Sequence, residues 1–147
     1  MNDVQPEYVG FWARFVAVIV NTIIVSVAVA IVMKLMGIDL ATAGASLEEM
    51  QAQMSRVQSI DLLISIVFFI GAWIAMQTDP GKMIFGAVIV DAKTGAKPSV
   101  LQFVLRYLGY IVSTLPLCLG FLWVAWDARK QGFHDKIAGT VVVKKRA

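Results

Sequence analysis

Charge is what this chain has least of. Only 16% of its 147 residues are Asp, Glu, Lys or Arg, against about 25% in soluble domains, and they gather in blocks between long uncharged stretches. Its one cysteine, Cys118, excludes an internal disulfide. That residue sits inside an apolar run and says nothing of redox compartment. One histidine and one cysteine exclude a His/Cys metal cluster. No serine stands in a nucleophile-elbow pattern, so Cys118 and His134 are left without a catalytic set. The sequence therefore predicts no enzyme, no cofactor and no metal. A net charge of +3 is modest, and nucleic acid is not an expected partner.

Apolar residues are what the chain has in surplus. They make up 59% of it, with a mean hydropathy of +0.75, whereas soluble domains hold about 45–50%. A soluble core of this size could not hide the excess, because small domains bury a limited share of their surface. Three runs carry no charge: Phe15 to Met33, Leu62 to Thr78 and Tyr107 to Trp126, of nineteen, seventeen and twenty residues. The first would be about 28 Å long as a helix, close to the ~30 Å hydrocarbon core of a bilayer. Trp12, Trp73, Trp123 and Trp126 lie in or beside the runs, and those near run ends suit the membrane–water interface. Ala28-Val29-Ala30 looks like a signal-peptide cleavage site, but Asp3 and Glu7 precede Arg14 and the run is long for an h-region. It is read as a retained span.

Between the first two runs, Ser46-Leu47-Glu48-Glu49 is a capping box. It opens an amphipathic helix over 46–59, with Leu47, Met50, Met54 and Val57 at helical spacing. That helix lies on the outer surface or leads into the second span. Asp79-Pro80-Gly81 reads as a tight turn. Residues 84–91 and 139–145 are β-branched and too short to span. An open ribbon is forbidden in lipid, so these strands are expected to pair at the interface, on one side of the membrane.

That requirement bears on the third run. If it crosses once, the Lys and Arg residues divide five against eight, which decides nothing; if 99–127 enters and returns, only Lys34 and Arg56 face outward and eleven of thirteen face the cytoplasm. Pro116 supplies a cause for a break. The expected fold is an all-α integral membrane bundle forming a single domain over 1–147. It has two full transmembrane helices (about 12–36 and 60–78), a Pro-broken helical hairpin (99–127) and a small interfacial β-ribbon. That makes three to four membrane helices, with both termini cytoplasmic. The basic fringe Arg129-Lys130 and Lys144-Lys145-Arg146 suits anionic headgroups of the bilayer.

The residues also match a family pattern. Tyr8-Val9-Gly10-Phe11-Trp12-Ala13-Arg14-Phe15, then Asp79-Pro80-Gly81-Lys82, Gly86 through Val90-Asp91, Gly95, Pro98-Ser99, Arg106 and the closing Gln131-Gly132-Phe133-His134-Asp135-Lys136-Ile137-Ala138-Gly139-Thr140 follow in order. Over nearly its whole length the chain resembles the RDD family of bacterial membrane proteins, named for one arginine and two aspartates. The resemblance implies a multi-pass protein of the bacterial cytoplasmic (inner) membrane. It maps the arginine onto Arg14 and the second aspartate onto Asp135, with Asp127 as the alternative. The first aspartate's mid-helix place is held here by Asn21.

Arg14 and Asn21 are seven apart and share a helix face. Asn21 either marks a pathway or bonds a neighbouring helix. Arg14 either snorkels to headgroups or forms an ion pair. Arg106, two turns inside a helix opened by Ser99, needs an acidic partner at that depth. The expected polar network is Arg14, Asn21, Arg106, Asp127 and Asp135, with both arginines paired to Asp127 or Asp135 at the cytoplasmic rim. His134 is expected to be a surface residue capping the turn before Lys136. The expected activity is transport of a small ion or solute. So few helices hardly enclose a path, so transport implies a homo-oligomer; the alternative is a non-catalytic scaffold or accessory subunit docking partner proteins.

Overall fold

A computed structural model describes residues 6–38 and 44–145; Asp3 and Arg146 lie outside the described residues. Helix α1 (Phe11–Leu35) follows Gly10. Arg14, Ala17, Asn21, Val25, Val29 and Met33 recur every three or four residues and are its buried stripe. Phe15, Ile19, Ile23, Val27 and Ile31 on the other faces are exposed. A helix that is apolar all round yet buries one narrow stripe is built for lipid.

Helix α2 (Leu47–Met76) opens on the Ser46 capping box: the Glu49 N–H donates to the Ser46 hydroxyl, and the Ser46 N–H donates to the Glu49 carboxylate. It runs thirty residues to Gln77, which closes it in the left-handed region at φ 56°. The expected outer helix at 46–59 and the span at 60–78 are thus one continuous rod. No glycine or proline interrupts 47–70, so nothing breaks the hydrogen-bond ladder where the chain enters lipid. α1 and α2 pack through Val25, Val29 and Met33 against Val57, Ile60, Ile64 and Phe68.

Asp79-Pro80-Gly81 is not a simple turn but the start of a one-turn helix, α3 (Pro80–Met83). The Asp79 carboxylate caps it, accepting from the Lys82 N–H, and proline sits where its missing N–H costs nothing. A Cβ on Gly81 would stand 2.2 Å from the Ala17 carbonyl oxygen, so glycine lets α3 lie flush on α1. The strand then starts at Ala87 rather than 84, because residues 84–86 complete the turn after α3.

β1 (Ala87–Asp91) and β2 (Thr140–Lys144) pair antiparallel, from Ala87 opposite Lys144 to Asp91 opposite Thr140. Tyr8 bridges Val143, and the Val9 N–H donates to the Val142 carbonyl. Between the strands, α4 (Val100–Thr114) opens on a second capping box, Ser99 with Gln102, and stops just before Pro116. Leu117 and Cys118 turn the chain at positive φ. A short helix α5 (Leu119–Leu122) and a 3₁₀ turn (Trp123–Ala125) return at 113° to α4. α6 (Phe133–Ala138) ends at Gly139, φ +64°.

Two helices, α1 and α2, are long and apolar enough to cross a bilayer. α4 with the segment Leu119–Ala125 forms a third apolar unit, bent by 113° at the break after Thr114. The apolar core of Val9, Trp73, Ala87, Ile89, Phe103 and Val142 sits at the end where the N-terminal segment, α2, the ribbon and α4 converge.

Candidate functional site

Asp135 lies at the centre of that end with no solvent exposure. α6 places it in the first helical turn, where its Oδ2 accepts from the Gly132 N–H at 3.0 Å. Arg14 Nη1 donates to the same Oδ2 at 2.5 Å, and Arg106 Nη1 donates to Oδ1. One carboxylate therefore joins α1, α4 and α6. The remaining donors of Arg14 reach backbone, Nε to the Val9 carbonyl at 3.0 Å and Nη2 to the Lys130 carbonyl at 2.6 Å. Arg106 Nη1 also donates to Thr140 Oγ1 at 2.7 Å. Its guanidinium carbon stands 5.5 Å from the Trp73 ring centre and 6.0 Å from that of Tyr110, the arrangement of a cation over aromatic faces. Arg106 Nε and Nη2 are buried without a hydrogen-bond partner.

The close approach of α6 to α4 needs a gap in α4. Gly109 provides it, since a Cβ there would lie 2.7 Å from His134 Cα. His134 is accordingly buried against Tyr110 and Phe121, not a surface cap. Burial pushes its pKa well below 6.5, helped by the nearby Arg106, Arg14 and Lys82 against the opposing pull of Asp135, so the ring is neutral. Burial pushes the Asp135 carboxyl up, but Arg106 and Arg14 outweigh it and hold the group well below the usual carboxylate range.

A second buried cluster abuts the first. Lys82 Nζ donates to Asp79 Oδ2 at 2.5 Å, and Asn21 Nδ2 donates to Asp79 Oδ1 at 2.7 Å. The Gly81 N–H donates to Asn21 Oδ1 at 2.9 Å, so Asn21 fixes both the carboxylate and the turn behind it. Burial raises the Asp79 carboxyl, and Lys82 together with the Asn21 and Trp73 hydrogen bonds reverses that to a net lowering. Trp73 links the clusters: its Nε1 donates to Asp79 Oδ2 at 3.2 Å while its ring faces Arg106.

Arg14 and Asn21 share the buried stripe of α1 but serve different carboxylates. Asp127 takes neither arginine. It pairs with Lys136 at 2.6 Å and caps the turn at Arg129 and Gln131. Asp79, Lys82, Trp73 and Thr140 were not among the site residues expected from sequence. Asp79 and Lys82 flank Pro80-Gly81 and read as part of a tight turn; the one available clue was an acid three residues before a lysine around Pro-Gly.

Above the second cluster, α1 and α2 part to leave a cleft of about 150 Å³. Asn21 forms its floor, with Thr22, Ser26, Asp61 and Ser65 around it. Among the described residues no group of three or more His, Cys, Asp or Glu side chains is placed to hold a metal.

The family model for the RDD family matches residues 8–139. The chain belongs to the RDD family. Among its relatives, the uncharacterized protein YxaI of Bacillus subtilis (strain 168) is 34% identical over 149 residues, covering 92% of this chain and 97% of that one. An uncharacterized protein of Rickettsia prowazekii is 38% identical over 84 residues, 57% of this chain and 46% of its own length. The proline-rich antigen of Mycobacterium leprae is 33% identical over 61 residues, 42% of this chain and 24% of the antigen. This RDD chain thus spans nearly all of the Bacillus relative and less than half of the other two. No solved structure matches it.

Proposed function

We propose that this RDD protein moves a small ion or solute across the bacterial cytoplasmic membrane as a homo-oligomer. One observation carries the reading: polar groups form a connected series from the α1–α2 cleft to one face of the molecule. Asn21 at the cleft floor bonds Asp79, Trp73 joins Asp79 to Arg106, Asp135 joins Arg106 to Arg14, and Arg14 ends on the Lys130 carbonyl. Buried charges in a membrane bundle are costly and commonly mark pathways. In this reading 100–125 is a re-entrant hairpin, both termini are cytoplasmic, and Lys93, Lys97, Lys130 and Lys145 meet anionic headgroups. Two spans and a hairpin enclose no path alone, so protomers supply the remaining walls.

The test is flux. Protein in sealed liposomes passes a small ion, and Asn21→Leu, which severs the series while sparing both arginine pairs, stops it. Inert wild-type liposomes would remove the proposal. A scaffold role is favoured by one different observation. α2 is about 45 Å long at 1.5 Å per residue, so its first turns stand beyond a ~30 Å core, with Leu47, Met50 and Met54 exposed. Inert liposomes together with a partner lost on Leu47→Ser/Met54→Ser would support it.

A further inference from the structure

Asp61 belongs to neither buried cluster, yet it stands at the midpoint of α2. Fifteen residues separate it from Met76, about 22 Å of helix, so a ~30 Å hydrocarbon core starting at that end still has about 8 Å to run beyond it. α1 gives the same depth, because Ser26, which shares the cleft, is fifteen residues from Phe11. Among the described residues Asp61 makes no ion pair. Arg56 on the same helix faces a separate hollow beside Met36 and Ile38. A carboxylate at this depth is costly unless something positive meets it.

Asp61 is exposed, as are Thr22 and Ser26, and it opens onto a cleft it shares with several oxygen-bearing side chains. Thr22 and Ser26 are four apart on α1, and Asp61 and Ser65 are four apart on α2, so each pair occupies one helix face and the two pairs line one cleft. Asn21 Oδ1, which accepts from the Gly81 N–H, keeps a second lone pair. Val25 and Phe69 form the apolar wall. From α4, Tyr107 lies within electrostatic range of Asp61 and is the titratable group that element brings. α1 brings only neutral side chains to the cleft.

One negative charge among neutral hard oxygens matches one positive charge, whereas calcium-type sites recruit several carboxylates. About 150 Å³ holds an ion with a few waters, each with a ~30 Å³ share of liquid volume, and no metabolite. We infer that the Asp61 cleft binds a monovalent cation, held by the Asp61 carboxylate and the hydroxyls of Thr22, Ser26 and Ser65. The inference rests on the transport reading for its cargo class and stands on its own as a binding site.

Dicyclohexylcarbodiimide, which modifies protonated carboxyls in apolar surroundings, tests it on the full-length protein in liposomes, with the modified residue mapped by mass spectrometry. Asp61 is labelled in choline chloride, and sodium or potassium at about ten times its Kd slows labelling about tenfold by mass action. Ser65→Ala and Ser26→Ala keep the label and weaken the protection; Asp61→Asn removes the label. No label on Asp61, or a label that ignores sodium and potassium, overturns the site. Protection without flux leaves the site and removes transport. Flux that persists in Asp61→Asn, with no protected label in the wild type, removes the site and leaves transport.

Discussion

Asp135 is one carboxylate shared by two guanidinium groups, and removing it strands both. Breaking a buried pair by deleting one partner costs about 3–5 kcal/mol, so Asp135→Ala is expected to lower the unfolding midpoint in micelles more than any other single truncation in the cluster. Arg14→Lys keeps the charge but cannot reach the carboxylate and the Val9 and Lys130 carbonyls together, so its loss is smaller yet measurable by the same melt. A fully stable Asp135→Ala would remove the network. The pH dependence has a definite sign. The His134 pKa is depressed in the fold, so below about 6.5 the unfolded chain binds a proton that the folded chain refuses. Stability should therefore fall on acidification from that point, with a slope of up to about 1.4 kcal/mol per pH unit from this group. His134→Gln is expected to flatten that slope. Asp135 adds a loss of the same direction further down, because its lowered folded pKa contributes stability above the unfolded value near 3.9 that disappears as pH falls through the folded one.

Elements meet here through glycines as much as through charges. Gly81→Ala drives a Cβ into the Ala17 backbone, and overpacking of this kind costs about 1–3 kcal/mol. Gly71→Ala, with nothing within 4 Å of the added carbon, is the neutral control in the same melt. The long apolar helices, the Ser46 capping box, the helix start at Ser99 and the two short strands were legible in the sequence, because each depends on residues close together in the chain or on composition alone. The merger of 46–59 into α2 was half legible: the capping box marks the start, but periodicity does not say where a helix leaves water. What stayed hidden was long-range. Asp79 and Lys82 read only as part of a tight turn because Asn21, the group that draws them inward, lies 58 residues from Asp79. His134 read as exposed because the gap that receives it is Gly109 on another element. Among the candidate residues, Asp127 and Asp135 are equally acidic in sequence; which of them meets the arginines is decided by where α6 packs. The hairpin gives its own outcome. α4 is about 22 Å long, short of a ~30 Å core, so Cys118 at the tip should resist a membrane-impermeant maleimide from both sides of sealed vesicles and react with a permeant one. Labelling from the outer side alone would turn the hairpin into a full crossing.

At the scale of the whole molecule, one end gathers the described N-terminal segment, the ribbon, α3, α6 and both buried ion-pair clusters. The long helices leave that end, and among the described residues the last turn of α1 and the head of α2 stand at the other. This polarity follows from the β1–β2 pairing and from Asp135, each of which ties late residues to early ones across the chain. The most direct measurement of it uses single cysteines at Glu7, Glu48 and Lys145 in a Cys118→Ser background, probed with an impermeant maleimide in vesicles of known orientation. Glu7→Cys and Lys145→Cys are predicted to label from the same side, and Glu48→Cys from the opposite one. If Glu7→Cys and Lys145→Cys label from opposite sides, β2 cannot pair with β1, Asp135 cannot reach Arg14, and the account is contradicted.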